Sequence, residues 1–424
     1  MSTTKFSKLL FVTILVLVIF ISCKYEDESS DFLLGNETKM GKLLQDETWY
    51  ANKIYELEGK VIVPNGITLT IQPGTIIKGR QGDGLNASAL IVSRGGKLIA
   101  EGTANAPIIF TSVIDNIELG QKTGTNLDEN DVQKWGGLII LGKAKVSAKI
   151  GDTQGHIEGI PADADYGTYG GNDDNDNSGS LKYVSIRHGG ITIGSGNEIN
   201  GLTLGGVGAG TTIDYVEIIA NLDDGIECFG GSVTINHALV AYQQDDAFDI
   251  DQNFSGAFKN SMVIYKSTVG DEFLEIDGPE NSTFTNGMFT IENCTFIDID
   301  NNGSCDLKSK AQGSIKNNLF TGLSNFKIST KLDTDCTSVL MDAYKHYING
   351  TLILESNHTD ANLQIYTKSN NGATTPVICS LPTNLQTAAN AIYNVANNTT
   401  NNNVNSVNQS EFQNWTWMAA NNKF

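Results

Sequence analysis

The feature that most constrains this chain is an internal period. One short pattern returns six times: LKYVSIRH from Leu181, TIDYVEII from Thr212, TINHALVA from Thr234, FKNSMVIY from Phe258, IENCTFID from Ile291 and SIKNNLFT from Ser314. Aligned on a polar anchor, Lys182, Asp214, Asn236, Asn260, Asn293 and Asn317, the copies follow at 32, 22, 24, 33 and 24 residues. A base period of 22 to 24 residues with occasional insertions suits one turn of a parallel β-solenoid. Its rungs stack at about the 4.8 Å strand spacing.

The rest of the chain is consistent with that period. KVIVPNGITLTIQPGTIIKG from Lys60, ALIVSRGGKLIAEGTANAPIIFTSV from Ala89 and GGLIILGKAKV from Gly136 are β-branched runs broken by Gly, Asn and Pro-Gly turns. No helical pattern lies between them, so the fold class is all-β: a right-handed parallel β-helix with an irregular C-terminal cap. Alternation places Val184 and Ile186, Val216 and Ile218, Ala238 and Val240, Met262 and Ile264, Thr295 and Ile297, and Leu319 and Thr321 inward. The Asp214, Asn236, Asn260, Asn293, Asn317 column has the same parity. It is expected to turn inward at a bend and bond neighbouring backbone.

A second repeat lies just downstream: DDGIECF from Asp223, DDAFDID from Asp245, DEFLEID from Asp271 and a degenerate CDLKS from Cys305. Ile226, Cys228, Phe248, Ile250, Leu274, Ile276, Cys305 and Leu307 face inward by alternation. Glu227, Asp249, Glu275 and Asp306 then form one outward column, and Phe229, Asp251, Asp277 and Lys308 another. The pairs Asp223 and Asp224, Asp245 and Asp246, and Asp271 and Glu272 sit at the preceding turn. Carboxylates about 5 Å apart repel by roughly 1 kcal/mol in bulk water and roughly 3 kcal/mol at an effective dielectric of about 20. Raised pKa values, Lys308 at the end of the column, or bound cations would compensate. These oxygen donors suit Ca2+, and all eleven acids of the three full copies are candidate metal ligands; a solvated acidic face and a surface for a protein partner are the alternatives.

The same face suits catalysis less well. Acids are plentiful, but Arg187, His237 and Lys308 are the only nearby basic groups read as substrate or partner contacts. A lyase needs such a group as its base, while a glycoside hydrolase needs two carboxyls at a set distance, which adjacent rungs supply by accident. Composition excludes one class outright: 28 Lys+Arg against 48 Asp+Glu give a net charge of −20, unsuited to nonspecific nucleic-acid binding.

The two ends differ from the middle. Lys5 and Lys8 precede an apolar run from Leu9 to Ile21, too short to span a bilayer and typical of a secretory signal. Ser22 and Cys23 after it resemble the lipobox of bacterial lipoproteins, which implies lipidation at Cys23. Lys24 to Glu28 (KYEDE) resemble the short export signal of Bacteroidota surface lipoproteins. After about residue 330 the rungs become irregular; INGTLILE from Ile348 reads as one more strand and LQTAANAIYNVA from Leu385 as a helix. Residues 397 to 408 form an Asn-rich linker, and FQNWTWM from Phe412 is expected to cap the open end. The Gly- and Asp-rich stretch 167 to 180 reads as an inserted, cation-stabilised loop. Cys228 and Cys305 face the core, and two of Cys294, Cys336 and Cys379 are available for a disulfide in an exported protein.

LTIQPGTIIKG, NAPIIFTS, NEINGLTLGGVGAGTTIDYV, DDGIECFGG and DDAFDID together resemble a family of Bacteroidota surface lipoproteins with a pectate-lyase-like β-helix. The resemblance implies the fold and a cell-surface, outer-membrane location, and assigns no catalytic residue. The expected organisation is a signal peptide over 1–22, a lipid-anchored tether over 23–47, a β-helix over 48–330 and a cap over 331–424. The expected role is non-catalytic binding of a glycan, or of an outer-membrane transporter or assembly partner, with Ca2+ as cofactor. A polysaccharide lyase or glycoside hydrolase is the alternative.

Overall fold

Short apolar strands separated by tight turns cannot close a core alone, and each must pair its backbone with the rungs above and below. The structure, a computed structural model, describes residues 35–148, 153–194, 197–265, 270–280, 283–367, 379–397 and 407–424. The signal segment and Cys23 lie outside these residues. A parallel ladder of 26 strands winds into a right-handed parallel β-helix. Its strands fall into three stacks.

The first stack runs from Glu47–Trp49 through Thr68–Ile71 and the start of Gly179–Arg187 to Leu352–Glu355. The second joins Ile76–Gly79 and Ile108–Ser112 to the ends of Gly179–Arg187, Thr212–Ile219 and Thr234–Ala241, then continues to Leu319–Thr321. The third contains Ala89–Val92, Leu138–Leu141, Leu202–Gly205, Ile226–Phe229, Phe248–Asp251, Glu272–Ile276, Gly303–Leu307, Leu323–Thr330 and Asn362–Thr367. The solenoid therefore extends beyond 48–330 at both ends. Asn36–Lys42, within the expected tether, already pairs in parallel with Ile54–Val63.

The bend between the first and second stacks corrects the expected anchor column. In each rung the chain turns through one residue in the left-handed region: Tyr183, Tyr215, His237, Asn260, Asn293 and Asn317, at φ of 48 to 58°. Asn tolerates this conformation best among non-glycine residues. Asn293 and Asn317 sit there exposed, and Asp214 and Asn236 half-buried just before it. In register Asn236 pairs with Lys259, so Asn260 belongs one position later than the alignment placed it. A one-residue slip exchanges faces. Val263, Tyr265, Phe296 and Phe320 accordingly fill the core where Met262, Ile264, Thr295, Ile297, Leu319 and Thr321 were expected. The expected column does hydrogen-bond in its earlier rungs, side chain to side chain: Asn236 Nδ2 donates to Asp214 Oδ1 at 3.1 Å and Asn260 Nδ2 donates to Asn236 Oδ1 at 2.8 Å. In the later rungs the amide ladder lies one residue further on. Asn318 Nδ2 donates to Asn357 Oδ1 at 3.0 Å, Asn357 Nδ2 donates to Asn397 Oδ1 at 3.3 Å, and the Cys294 N–H donates to Asn318 Oδ1 at 2.8 Å.

Helices Ala343–Asn349 and Thr383–Ala396 close the C-terminal end, and Cys336 is bonded to Cys379. Of the expected strand 348–355 only Leu352–Glu355 is extended. The Trp-rich tail does not cap that end. Phe412, Trp415, Trp417 and Met418 lie against Ile219, Leu239, Ala241, Met262 and Ile264 on the outer side of the second stack. That side is apolar because its strands carry apolar residues on both faces, and the tail buries the outer one. No helix among the described residues is long and apolar enough to cross a membrane.

Candidate functional site

The third stack carries the acidic repeat in register. Ile226, Cys228, Phe248, Ile250, Leu274, Ile276, Cys305 and Leu307 are buried in the core as alternation requires. Their neighbours Glu227, Asp249, Glu275 and Asp306 pair directly, rung upon rung, as do Phe229 and Asp251.

The turn acids explain why the repeat keeps two carboxyls together. Asp224 Oδ1 accepts the N–H of Asp246 at 3.1 Å, and Asp246 Oδ1 accepts the N–H of Glu272 at 2.6 Å. Asp224 and Asp246, the second acids of the first two pairs, thus cap the turn of the following rung, whereas Glu272 accepts the Ser304 hydroxyl at 3.2 Å. The first acid, Asp223 or Asp245, is left to face outward.

This outward face is not an open surface. Segments around Ile157 and Ile193 cover it, leaving a cavity of about 370 Å³. Ten carboxyl groups line the cavity, among them Asp223, Asp224, Glu227, Asp245, Asp246, Asp249, Asp251 and Glu275; among the described residues no Lys, Arg or His does. Oxygens of Asp224, Glu227 and Asp249 all lie within 4.8 Å of one another, as do those of Asp223, Asp224 and Asp245. Asp249 is 8% exposed and its Oδ1 has no hydrogen-bond partner; Asn200 is 4% exposed and its Oδ1 has none either. Asn200 Nδ2 donates to Glu227 Oε2.

Burial first, and neighbouring carboxylates second, raise the proton affinity of this group. Asp223 is pushed up to about 7, and Asp224, Glu227 and Asp249 well above the usual carboxyl range. Asp251 rises to about 7. Asp246 rises to about 8 by burial, although the Glu272 N–H opposes it. The arrangement is a dense oxygen donor set whose ionised state is unfavourable without a counter-cation.

The remaining predicted residues separate from this cluster. Asp271 is exposed, and burial raises it to about 6. Burial opposes ionisation of Glu272, but Lys327, at 2.7 Å, holds its carboxyl below the ordinary value. Lys308 pairs with Glu275 and, at 3.4 Å, with Asp277, ending the column as its position suggested. Arg187 does not reach substrate. It points outward from its strand but is fully buried under the tail, 3.9 Å from Glu217, whose carboxylate accepts the N–H groups of Trp417 and Met418. His237 is likewise remote from the cavity lining, stacked on Tyr215 with centroids 4.4 Å apart and hydrogen-bonded to Asp214 at 2.8 Å. In the loop 167–180, Asp174 pairs with Lys145 at 2.6 Å and Asp176 accepts the N–H of Lys143 at 3.1 Å.

Sequence reasoning missed Asn200, Glu158 and Glu198. Leu202 pairs with Ile226 and Thr203 with Glu227, so NGLTL from Asn200 is a polar copy of DGIEC from Asp224. The shared glycine after Asn200 and after Asp224 was the available signal. Glu158 and Glu198 come from segments outside the period and carry no such mark.

In comparisons with known proteins, a family model described as "Pectate-lyase like beta helix domain" matches residues 41–420. No curated protein and no solved structure matches.

Proposed function

The chain belongs to the pectate-lyase-like β-helix family, and from that scaffold we propose a non-catalytic, surface-anchored binding protein whose third-stack cleft holds Ca2+ and, through it, a glycan or an outer-membrane partner. One observation carries the cation: Asp249, whose buried Oδ1 has no hydrogen-bond partner, also offers a carboxylate oxygen within 4.8 Å of oxygens of Asp224 and Glu227. A buried acceptor of this kind is costly unless a donor or cation meets it. Ca2+ takes about six to eight hard oxygen ligands in flexible geometry, and Asn200 Oδ1 supplies one more. The lipid anchor and outer-membrane location rest on Cys23 and the flanking sequence.

The donor set argues against the lyase alternative. Among the described residues the cavity lining has no Lys, Arg or His to take a proton, and Arg187 is enclosed on another face. Calorimetric titration of EDTA-stripped protein with Ca2+, alongside incubation with uronate and neutral glycans, tests the proposal. Ca2+ uptake without release of unsaturated or reducing ends is expected. Glycan cleavage, or no uptake, would refute it.

A further inference from the structure

Ca2+ in the cleft leaves a choice of ligand that the lining decides. We infer that the cation-loaded cleft takes the paired hydroxyls of a neutral saccharide and excludes uronates and other anionic sugars. This inference rests on the cation reading and specifies its ligand.

The first ground is charge. Ten carboxyls and, among the described residues, no basic group line the cavity; Lys308 offsets one by pairing with Glu275, and one divalent ion offsets two more. Glu158, Glu198, Asp223 and Asp245 line it and are exposed or half-buried, so an anionic sugar meets acidic groups as it enters. The second ground is hydrogen-bond type. Asp249 Oδ1 and Asn200 Oδ1 are acceptors without donors. A hydroxyl donates its proton to such an oxygen while its own oxygen coordinates the cation; a uronate's ring hydroxyls can do the same, but its carboxylate only accepts and finds no donor in these two oxygens. The third ground is shape. Among the acids, Ile139, Ile157, Ile193, Ile199 and the half-buried Phe229 add apolar atoms to the lining, against which carbons of a sugar ring can rest. The volume of about 370 Å³ falls within the ordinary range of small-molecule sites.

The test is calorimetry of the full chain with neutral gluco-, manno- and galacto-oligosaccharides and with oligogalacturonate, each in Ca2+ and in EDTA. A neutral oligosaccharide is expected to bind only with Ca2+, and oligogalacturonate to bind about tenfold or more weakly, the gap narrowing as salt screens the repulsion. Glu158→Gln with Glu198→Gln, which leaves the inner oxygens intact, is expected to raise oligogalacturonate affinity without changing Ca2+ uptake. Oligogalacturonate binding as tightly as the neutral ligand overturns the inference. Ca2+ uptake with no neutral saccharide bound overturns it while the cation reading stands. No Ca2+ uptake overturns both.

Discussion

Replacing Asp249 by Asn isolates the electrostatic tension in the acidic stack. Asp249 pairs in register with Glu227 and Glu275, one rung away on each side. At a rung spacing of about 4.8 Å, one ionised neighbour costs about 3 kcal/mol at an effective dielectric of about 20. Escape by protonation is no cheaper at pH 7.5, since each unit above the ordinary carboxyl pKa costs about 1.4 kcal/mol. Without a cation, Asp249→Asn removes about 3 kcal/mol of strain while keeping shape. The compact unit Gly35–Phe424 spans 390 residues. At about 2.1 cal/mol/K per residue its unfolding entropy is about 0.8 kcal/mol/K, so the melting midpoint rises by about 4 °C. Differential scanning fluorimetry in EDTA should show that rise, and in Ca2+ the variant should lose the increment that the parent gains. A variant that melts lower in EDTA and keeps the full Ca2+ increment would refute the reasoning.

Three further outcomes are expected. Asp223, Asp246 and Asp251 titrate at about 7, 8 and 7 when folded, against an ordinary 3.8, so the folded chain binds protons more tightly than the unfolded one. Stability in EDTA must therefore fall as pH rises from about 4 to about 8; a thermal midpoint higher at pH 8 than at pH 5 would contradict this. Arg187→Met leaves the Glu217 carboxylate buried without its guanidinium, at a cost of about 3–5 kcal/mol. It should also expose the tail after residue 407 to protease; unchanged stability and cleavage would count against the buried pair. Cys336→Ser opens a cross-link between residues 43 apart in sequence. The loop-entropy model then gives a loss of about 4 kcal/mol, read as an identical midpoint for variant and reduced parent.

The third stack was legible because its pattern is doubly constrained. Ile226, Cys228 and their equivalents fix parity, and the capping role of Asp224 and Asp246 fixes where each turn falls, so the in-register carboxylates followed from spacing alone. The first bend carried less information. His237 and Asn260 occupy the same left-handed position with unrelated side chains, and aligning Asn260 with Asn236 slipped the later rungs by one. Arg187 was read correctly as outward, but its cover comes from Trp417 and Met418 at the far end of the chain, a contact no local pattern encodes. Asn200 was legible and overlooked, because an amide had replaced an acid at a repeat position recognised by charge.

The cation claim is tested most directly by an anomalous difference map from crystals of the protein soaked in Tb3+, a luminescent and anomalously scattering stand-in for Ca2+. A peak about 2.3 to 2.6 Å from Asp249 Oδ1, shared with Asp224 and Glu227 and absent from Asp249→Asn crystals, is predicted. Peaks elsewhere on the acidic surface, with none among these three side chains, would contradict it.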